Sequence, residues 1–163
     1  MLPESITEPA GQVAARLFER GQTVAVAESS AGGLISAALL SVPNASRYYR
    51  GGVVFYTRDG LRSALGGVID EKPGPRGACE QFARFLALVT RTKHDADWGI
   101  GETGAAEPDP YPYGEPAGYG WVSVAGPDGL AMPRHVLTGD ADRPRNMVAF
   151  AAFALRTLVT ALG

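Results

Sequence analysis

Thr23-Val24-Ala25-Val26-Ala27-Glu28-Ser29-Ser30-Ala31-Gly32-Gly33 is a short apolar strand that runs into one carboxylate, two hydroxyls and two glycines. A helical apolar pattern over Leu34–Val42 follows at once. Strand, hydroxyl-rich turn and helix together aim a side-chain nucleophile and several unpaired helix N–H groups at one point. The helix dipole favours negative charge there, so an anionic ligand or a developing oxyanion would be stabilised. The same residues also read as an ordinary helix start, because Ser is a preferred N-cap and Gly-Gly permits a tight turn. No Gly-Lys-Ser/Thr follows at the Walker spacing, so the turn is not a P-loop.

Working outward, apolar residues at helical spacing (Val13, Leu17, Phe18) stop at Gly21 and predict a first helix. The spacing then predicts a strand over Thr23–Ala27, a helix over Gly32–Ser41 ended by Pro43, and a strand over Gly51–Tyr56. Residues 57–76 read as a loop with a helical turn around Leu61–Leu65. A helix over Ala78–Thr92 puts Phe82, Phe85, Leu86 and Val89 on one face, and Asp97–Gly101 reads as a short strand. Residues 105–117 hold four prolines and exclude regular structure. Gly118–Ala125 and Leu130–Thr138 flank Pro127-Asp128-Gly129 as a hairpin, and the last helix covers Arg143–Leu162.

The order αβαβαβββα predicts an α/β fold: one three-layer α/β/α domain over residues 1–163. Its sheet would be mixed and mainly parallel, with a C-terminal β-hairpin followed by a helix. Sites in such sheets form at strand C-terminal ends. Three of those ends carry polar residues: Glu28-Ser29-Ser30, Tyr56-Thr57-Arg58 and Glu102-Thr103. Residues 99–104, Gly-Ile-Gly-Glu-Thr-Gly, match G-x-G-x-x-G letter for letter. A proline-rich loop follows instead of the helix that the dinucleotide motif needs, which argues against a nicotinamide-cofactor dehydrogenase.

Basic and acidic residues are interspersed, 15 against 17 with a net charge of −2, so no basic patch invites nucleic acid. The single cysteine, Cys79, excludes an internal disulfide and a cysteine metal cluster, and is compatible with a reducing cytoplasm, the expected location. The N-terminus lacks a basic and apolar leader, and the apolar run Met147–Leu162 is interrupted by Arg156, so it reads as a buried helix and not a membrane span. His94 and His135 lack metal-ligand spacing and read as structural or exposed. Gly51-Gly52 and the last helix suit a homo-oligomer interface and a core equally.

Several segments together resemble the C-terminal domain family of the competence/damage-inducible protein CinA, which includes the bacterial nicotinamide mononucleotide amidohydrolase. The family's Ala-Glu-Ser-Cys-Thr-Gly-Gly is matched by Ala27-Glu28-Ser29-Ser30-Ala31-Gly32-Gly33, and its Pro-Gly-Ser-Ser by Pro43-Asn44-Ala45-Ser46. Gly-x-Val-x-Tyr-Ser is matched by Gly52-Val53-Val54-Phe55-Tyr56-Thr57. Thr-Gly-Ile-Ala-Gly-Pro is matched by Thr103-Gly104-Ala105-Ala106-Glu107-Pro108, and Pro-Val-Gly by Pro116-Ala117-Gly118. The family's Gly-Asp-Arg-x-x-x-Arg corresponds to residues 139–145, which end on Arg145.

This resemblance implies hydrolysis of a carboxamide, with a pyridine mononucleotide as substrate and no metal or organic cofactor. It implies Ser29 as nucleophile, Tyr56 in the proton-transfer path and a lysine after the second strand; this chain lacks that lysine, and Glu28 or Glu102 would replace it as base if desolvation raises its pKa. The pocket would be walled by residues 28–33, 44–46, 56–62 and 103–108, making Ser30, Ala31, Gly32, Gly33, Ser46, Gly52, Thr103, Gly104 and Arg145 the expected substrate contacts. The amides near Gly32 and Gly33 would hold the oxyanion or phosphate, and Thr103 and Arg145 the ribose phosphate. Tyr111 and Tyr113 would either close over the ligand or pack their own loop.

The chain departs from the family at Ala31, Ala141, Glu107 and Leu61, where the family has threonine, arginine, glycine and lysine. Leu61 cannot take a proton, and Lys72 would have to reach back to replace it. Two functions follow: an amidohydrolase, or an impaired domain that binds a nucleotide-like ligand or serves as an interaction module.

Overall fold

The computed structural model describes residues 1–66, 77–108 and 114–163. Lys72, Tyr111 and Tyr113 lie outside the described residues.

Helix α1 spans Glu4–Arg20 and buries Ile6, Ala10, Val13, Ala14 and Leu17, an i, i+4, i+7 stripe. Gly21 ends it in the left-handed region at φ 61°, where the Gly21 N–H bonds to Phe18 O and the Gln22 N–H to Leu17 O. Strand β1, Val24–Glu28, is buried throughout. Helix α2, Leu34–Leu40, starts two residues later than its pattern predicts, because Gly32 and Gly33 hold φ 65° and 97° and belong to the turn. A 3-10 turn over Ala45–Arg47 leads into β2, Tyr49–Val54.

The expected loop after β2 contains a full helix, α3, Arg58–Leu65, capped by Thr57, whose hydroxyl accepts from Gly60 N. Helix α4 is Glu80–Lys93, and β3 is Trp98–Ala105, longer than its pattern predicts. Strands β4, Tyr119–Ala125, and β5, Ala131–Leu137, form the hairpin, and helix α5 is Arg143–Leu162. The chain therefore gives the expected α/β order, with α3 added.

The strand order is β2-β1-β3-β4-β5. β1 pairs in parallel with β2 and with β3, whereas β3–β4 and β4–β5 are antiparallel, so the mixed sheet divides evenly between the two pairings. One apolar cluster joins α1, α2 and α5 to Val24, Val26, Ile100 and Val122 on one face. A second joins Leu61 and Leu65 of α3 and Phe82 and Leu86 of α4 to Ala27 and Phe55 on the other. These are the three layers. By length and composition α5 could cross a membrane, but it buries Phe150, Ala151, Leu155 and Leu158 in the first cluster.

The G-x-G-x-x-G letters turn out to serve packing. A Cβ on Gly99 would lie 2.1 Å from Ala87 O, and one on Gly101 would lie 2.3 Å from Ala83 O. Both glycines let the α4 backbone rest directly on β3.

Candidate active site

The C-terminal ends of β1, β2 and β3 meet the N-terminal end of α5. Phe55 N donates to Glu28 O at 3.1 Å, and a Cβ on Gly33 would lie 3.5 Å from Val54 Cγ2, which ties the turn after β1 to the end of β2. A Cβ on Gly104 would lie 2.8 Å from Ser30 Oγ, and one on Gly32 would lie 2.6 Å from Met147 Cε, so β3 and α5 close on the same turn.

Two buried carboxylates frame the turn. Glu28, 0% exposed, accepts at Oε2 from Gly33 N (2.9 Å) and Ile35 N (3.1 Å), and at Oε1 from Ser36 N (2.9 Å) and Ser36 Oγ (2.5 Å). Glu102, 1% exposed, accepts at Oε2 from Ser29 N and Ala31 N, both at 2.9 Å, and at Oε1 from Ser30 Oγ at 2.5 Å. Burial raises both carboxyl pKa values, Glu102 to about 7, against the opposing effect of these hydrogen bonds.

This arrangement corrects the anion-cradle expectation. The Ala31, Gly32 and Gly33 amides are already spent, on Glu102, on Ser29 O and on Glu28 respectively. Among the described residues the Ser30 N–H is left without an acceptor. Glu28 is likewise corrected as a base: both of its oxygens are committed to the start of α2, so it caps the helix. Ser29 itself is half-buried, and among the described residues its hydroxyl has no partner.

Tyr56 is 56% exposed, and its hydroxyl accepts from Arg143 Nη1 at 3.1 Å, with the guanidinium 5.0 Å over the ring. Arg143 also pairs with Glu107. Sequence reasoning missed Arg143 because the family pattern places its arginines at 141 and 145. The available signal was a basic residue at the opening of a helix, where the dipole disfavours it unless an anion is near. Asn146 was missed too. It is 0% exposed, and its Nδ2 donates to Ala106 O (3.0 Å) and Asp140 O (2.9 Å), fastening the start of α5 to the chain leaving β3.

Of the other expected contacts, Gly104 alone abuts the turn. Arg145 is exposed, 3.6 Å from Asp140 Oδ2, and lines a shallow groove with Ser5, Val148 and Arg156 on the outer side of α5. Ser46 precedes β2, whose Tyr49 pairs with Val24 while Val54 pairs with Glu28, so Ser46 sits at the opposite end of the sheet from Ser29. Thr103 is 3% exposed and donates to Gly77 O at 3.3 Å, on the α4 side of the sheet. Gly52 is a mid-strand gap: a Cβ there would lie 2.6 Å from Tyr49 Oη and 2.8 Å from Val26 O. Gly104 is the place where Ser30 and Phe150 approach β3. Leu61 is 7% exposed and packs in the second cluster, so the position of the family's lysine is here a core position.

The profile of the CinA C-terminal domain family matches residues 6–162. A CinA-like protein of Anaeromyxobacter sp. (strain K) is 36% identical over 146 residues, 90% of this chain and 36% of its own length. One from Gloeobacter violaceus is 41% identical over 115 residues, 70% of this chain and 27% of its own. The chain thus spans about a third of the length of these curated relatives. Among solved structures, a competence/damage inducible protein CihA from Agrobacterium tumefaciens superposes with a TM-score of 0.87 at 28% identity, covering 99% of this chain and 98% of that one. A competence or damage-inducible protein from Enterobacter asburiae shares the fold with a TM-score of 0.85 at 24% identity, covering 99% of this chain and 100% of that one. A shared profile over nearly the whole chain, the shared fold and the order of motifs agree: the chain belongs to the CinA C-terminal domain family.

Proposed function

We propose that the chain is an amidohydrolase resembling nicotinamide mononucleotide deamidase, with Ser29 as nucleophile. The observation that carries this reading is a half-buried hydroxyl, without a partner among the described residues, on a turn whose flanking amides are locked by two carboxylates. A nucleophile held in that way loses little freedom on the path to the transition state.

Ser29 Oγ adds to the carboxamide carbon, and the C–N bond then breaks to give an acyl-serine ester and ammonia. The serine proton leaves on the departing nitrogen. Water hydrolyses the ester, releasing the carboxylate and restoring the hydroxyl. The Ser30 N–H is the turn donor available to the oxyanion. Tyr56 accepts from Arg143, so its own hydrogen is left to donate toward the leaving nitrogen. Arg143, in place of Arg145, is the cation suited to the substrate phosphate.

A second reading, a nucleotide-binding domain without turnover, is favoured by one observation: the lysine position is filled by core Leu61. Incubation with nicotinamide mononucleotide separates the two. Ammonia release is expected for the enzyme; thermal stabilisation by the nucleotide without ammonia supports the binding domain.

A further inference from the structure

Side chains alternate along β3, and the two sides have different tasks. Gly99 and Gly101 abut α4, while Gly104 abuts Phe150 of α5 and Ser30 Oγ. Glu102 shares the Gly104 side and lies directly under the turn, where three consecutive residues, Ser29, Ser30 and Ala31, bond to its one carboxyl group. We propose that Glu102 is a positioning residue for Ser29, and that its charge state selects the direction of the Ser30 hydroxyl.

The two states follow from donor and acceptor counting. An ionised carboxylate only accepts, so the Ser30 hydroxyl must donate to Oε1. When Glu102 takes one proton from solvent at Oε1, it becomes the donor and Ser30 Oγ the acceptor. The hydrogen of Ser30 then turns away from Glu102. The amides of Ser29 and Ala31 bond to Oε2 in both states, so the backbone of the turn is unchanged. The switch moves one hydroxyl hydrogen and one buried charge.

The surroundings make both states accessible near neutrality. Burial raises the Glu102 carboxyl to about 7, and the Glu28 carboxylate acts in the same direction. Glu28, on β1, is the titratable group that faces Glu102. Val122 pairs with it from β4, and Met147 and Phe150 of α5 cover this side of the turn, none of them charged. No cation pairs with Glu102 among the described residues.

The consequence for turnover rests on the amidohydrolase reading; the hydrogen-bond switch does not. A negative charge one residue from the oxyanion opposes its formation, and in a buried setting water screens it weakly. Neutral Glu102 removes that charge and releases the Ser30 hydrogen as a second donor beside the Ser30 N–H. The rate therefore falls as pH rises through about 7.

Glu102→Gln tests this, because its amide oxygen can accept from Ser29 N and Ala31 N while its NH2 donates to Ser30 Oγ, the neutral arrangement made permanent. In the native chain the 13C shift of the Glu102 carboxyl and the 15N shifts of the Ser29 and Ala31 amides are expected to titrate together near neutral pH. In E102Q the amide titration disappears, and at pH 8 kcat exceeds that of the native chain by about tenfold, the ratio set by one unit beyond the midpoint. Ser30→Ala keeps the amide titration and moves its midpoint upward, since it removes a bond that stabilises the ionised form. A Glu102 carboxyl that titrates in the ordinary carboxylate range, or amide titrations that persist in E102Q, would overturn the switch. Joint titration without ammonia from nicotinamide mononucleotide would sink the amidohydrolase reading and leave the switch standing. Ammonia with a pH profile unaltered in E102Q would do the reverse for the effect on turnover.

Discussion

Arg143 Nη1 donates to the Tyr56 hydroxyl at 3.1 Å, and the same guanidinium stacks 5.0 Å above the Tyr56 ring. The end of β2 and the start of α5 are thereby joined across the face where the Ser29 turn lies. Glu107, on the chain leaving β3, holds Arg143 from the other side. One cation thus links three segments, and it is the group proposed to engage a substrate phosphate.

Arg143→Ala is expected to raise KM for a mononucleotide between about 10-fold and 100-fold, the cost of about 1.5–3 kcal/mol for a lost charge-assisted hydrogen bond. Arg145→Ala should change KM less than twofold, because Arg145 faces the outer groove. Steady-state kinetics or calorimetric titration of the two variants checks the assignment. The opposite ranking would return the phosphate to Arg145.

Leu61→Lys places a charge in a cluster made by Ala27, Phe55, Leu65, Phe82 and Leu86. A destabilisation of about 2–5 kcal/mol is expected, comparable to removing the side chain altogether. Urea denaturation measures it. No gain of hydrolysis should accompany the change, since the side chain points into the core.

Glu28→Ala leaves the N–H groups of Gly33, Ile35 and Ser36 without their acceptor. An unpaired buried donor costs about 1–3 kcal/mol and the part-buried Gly33 and Ser36 donors less, so a loss of about 2–3 kcal/mol is expected. Hydrogen exchange should speed up at these amides and leave the β3–β4 ladder protected at the level that the remaining stability allows.

The folded chain holds a proton on Glu102 up to about pH 7, whereas the unfolded chain releases it near 4.5. Its contribution to stability is fully present below pH 4.5 and is lost as pH rises through 7. Unfolding free energy, taken relative to Glu102→Gln, should fall by about 3 kcal/mol across that window. A native-minus-variant difference that is flat with pH would contradict the assigned titration.

The fold was legible because its strands and helices announce themselves by periodicity and by stops such as Gly21 and Pro43. Helix α3 was legible only as a turn around Leu61–Leu65, since Arg58-Asp59-Gly60-Leu61-Arg62 is polar on one side and holds a glycine, and only Leu61 and Leu65 show its apolar face. The strand-end positions of Ser29 and Tyr56 were legible, because each follows a strand that its apolar run announces. The site was not legible at Glu28 and Glu102. A carboxylate beside a serine reads as a base until its acceptor bonds are seen, and those bonds run to backbone amides that carry no sequence signature. Ser46 shows the same limit: a motif match gives order along the chain, but here β2 runs between that turn and the site end of the sheet.

The most direct measurement is ammonia release from nicotinamide mononucleotide by the native chain and by Ser29→Ala, with nucleotide-induced thermal stabilisation followed in both. The native chain should turn over, and Ser29→Ala should fall by at least about a thousandfold while still being stabilised by the nucleotide. Turnover that survives in Ser29→Ala, or a native chain that releases no ammonia, would contradict Ser29 as the nucleophile of an amidohydrolase.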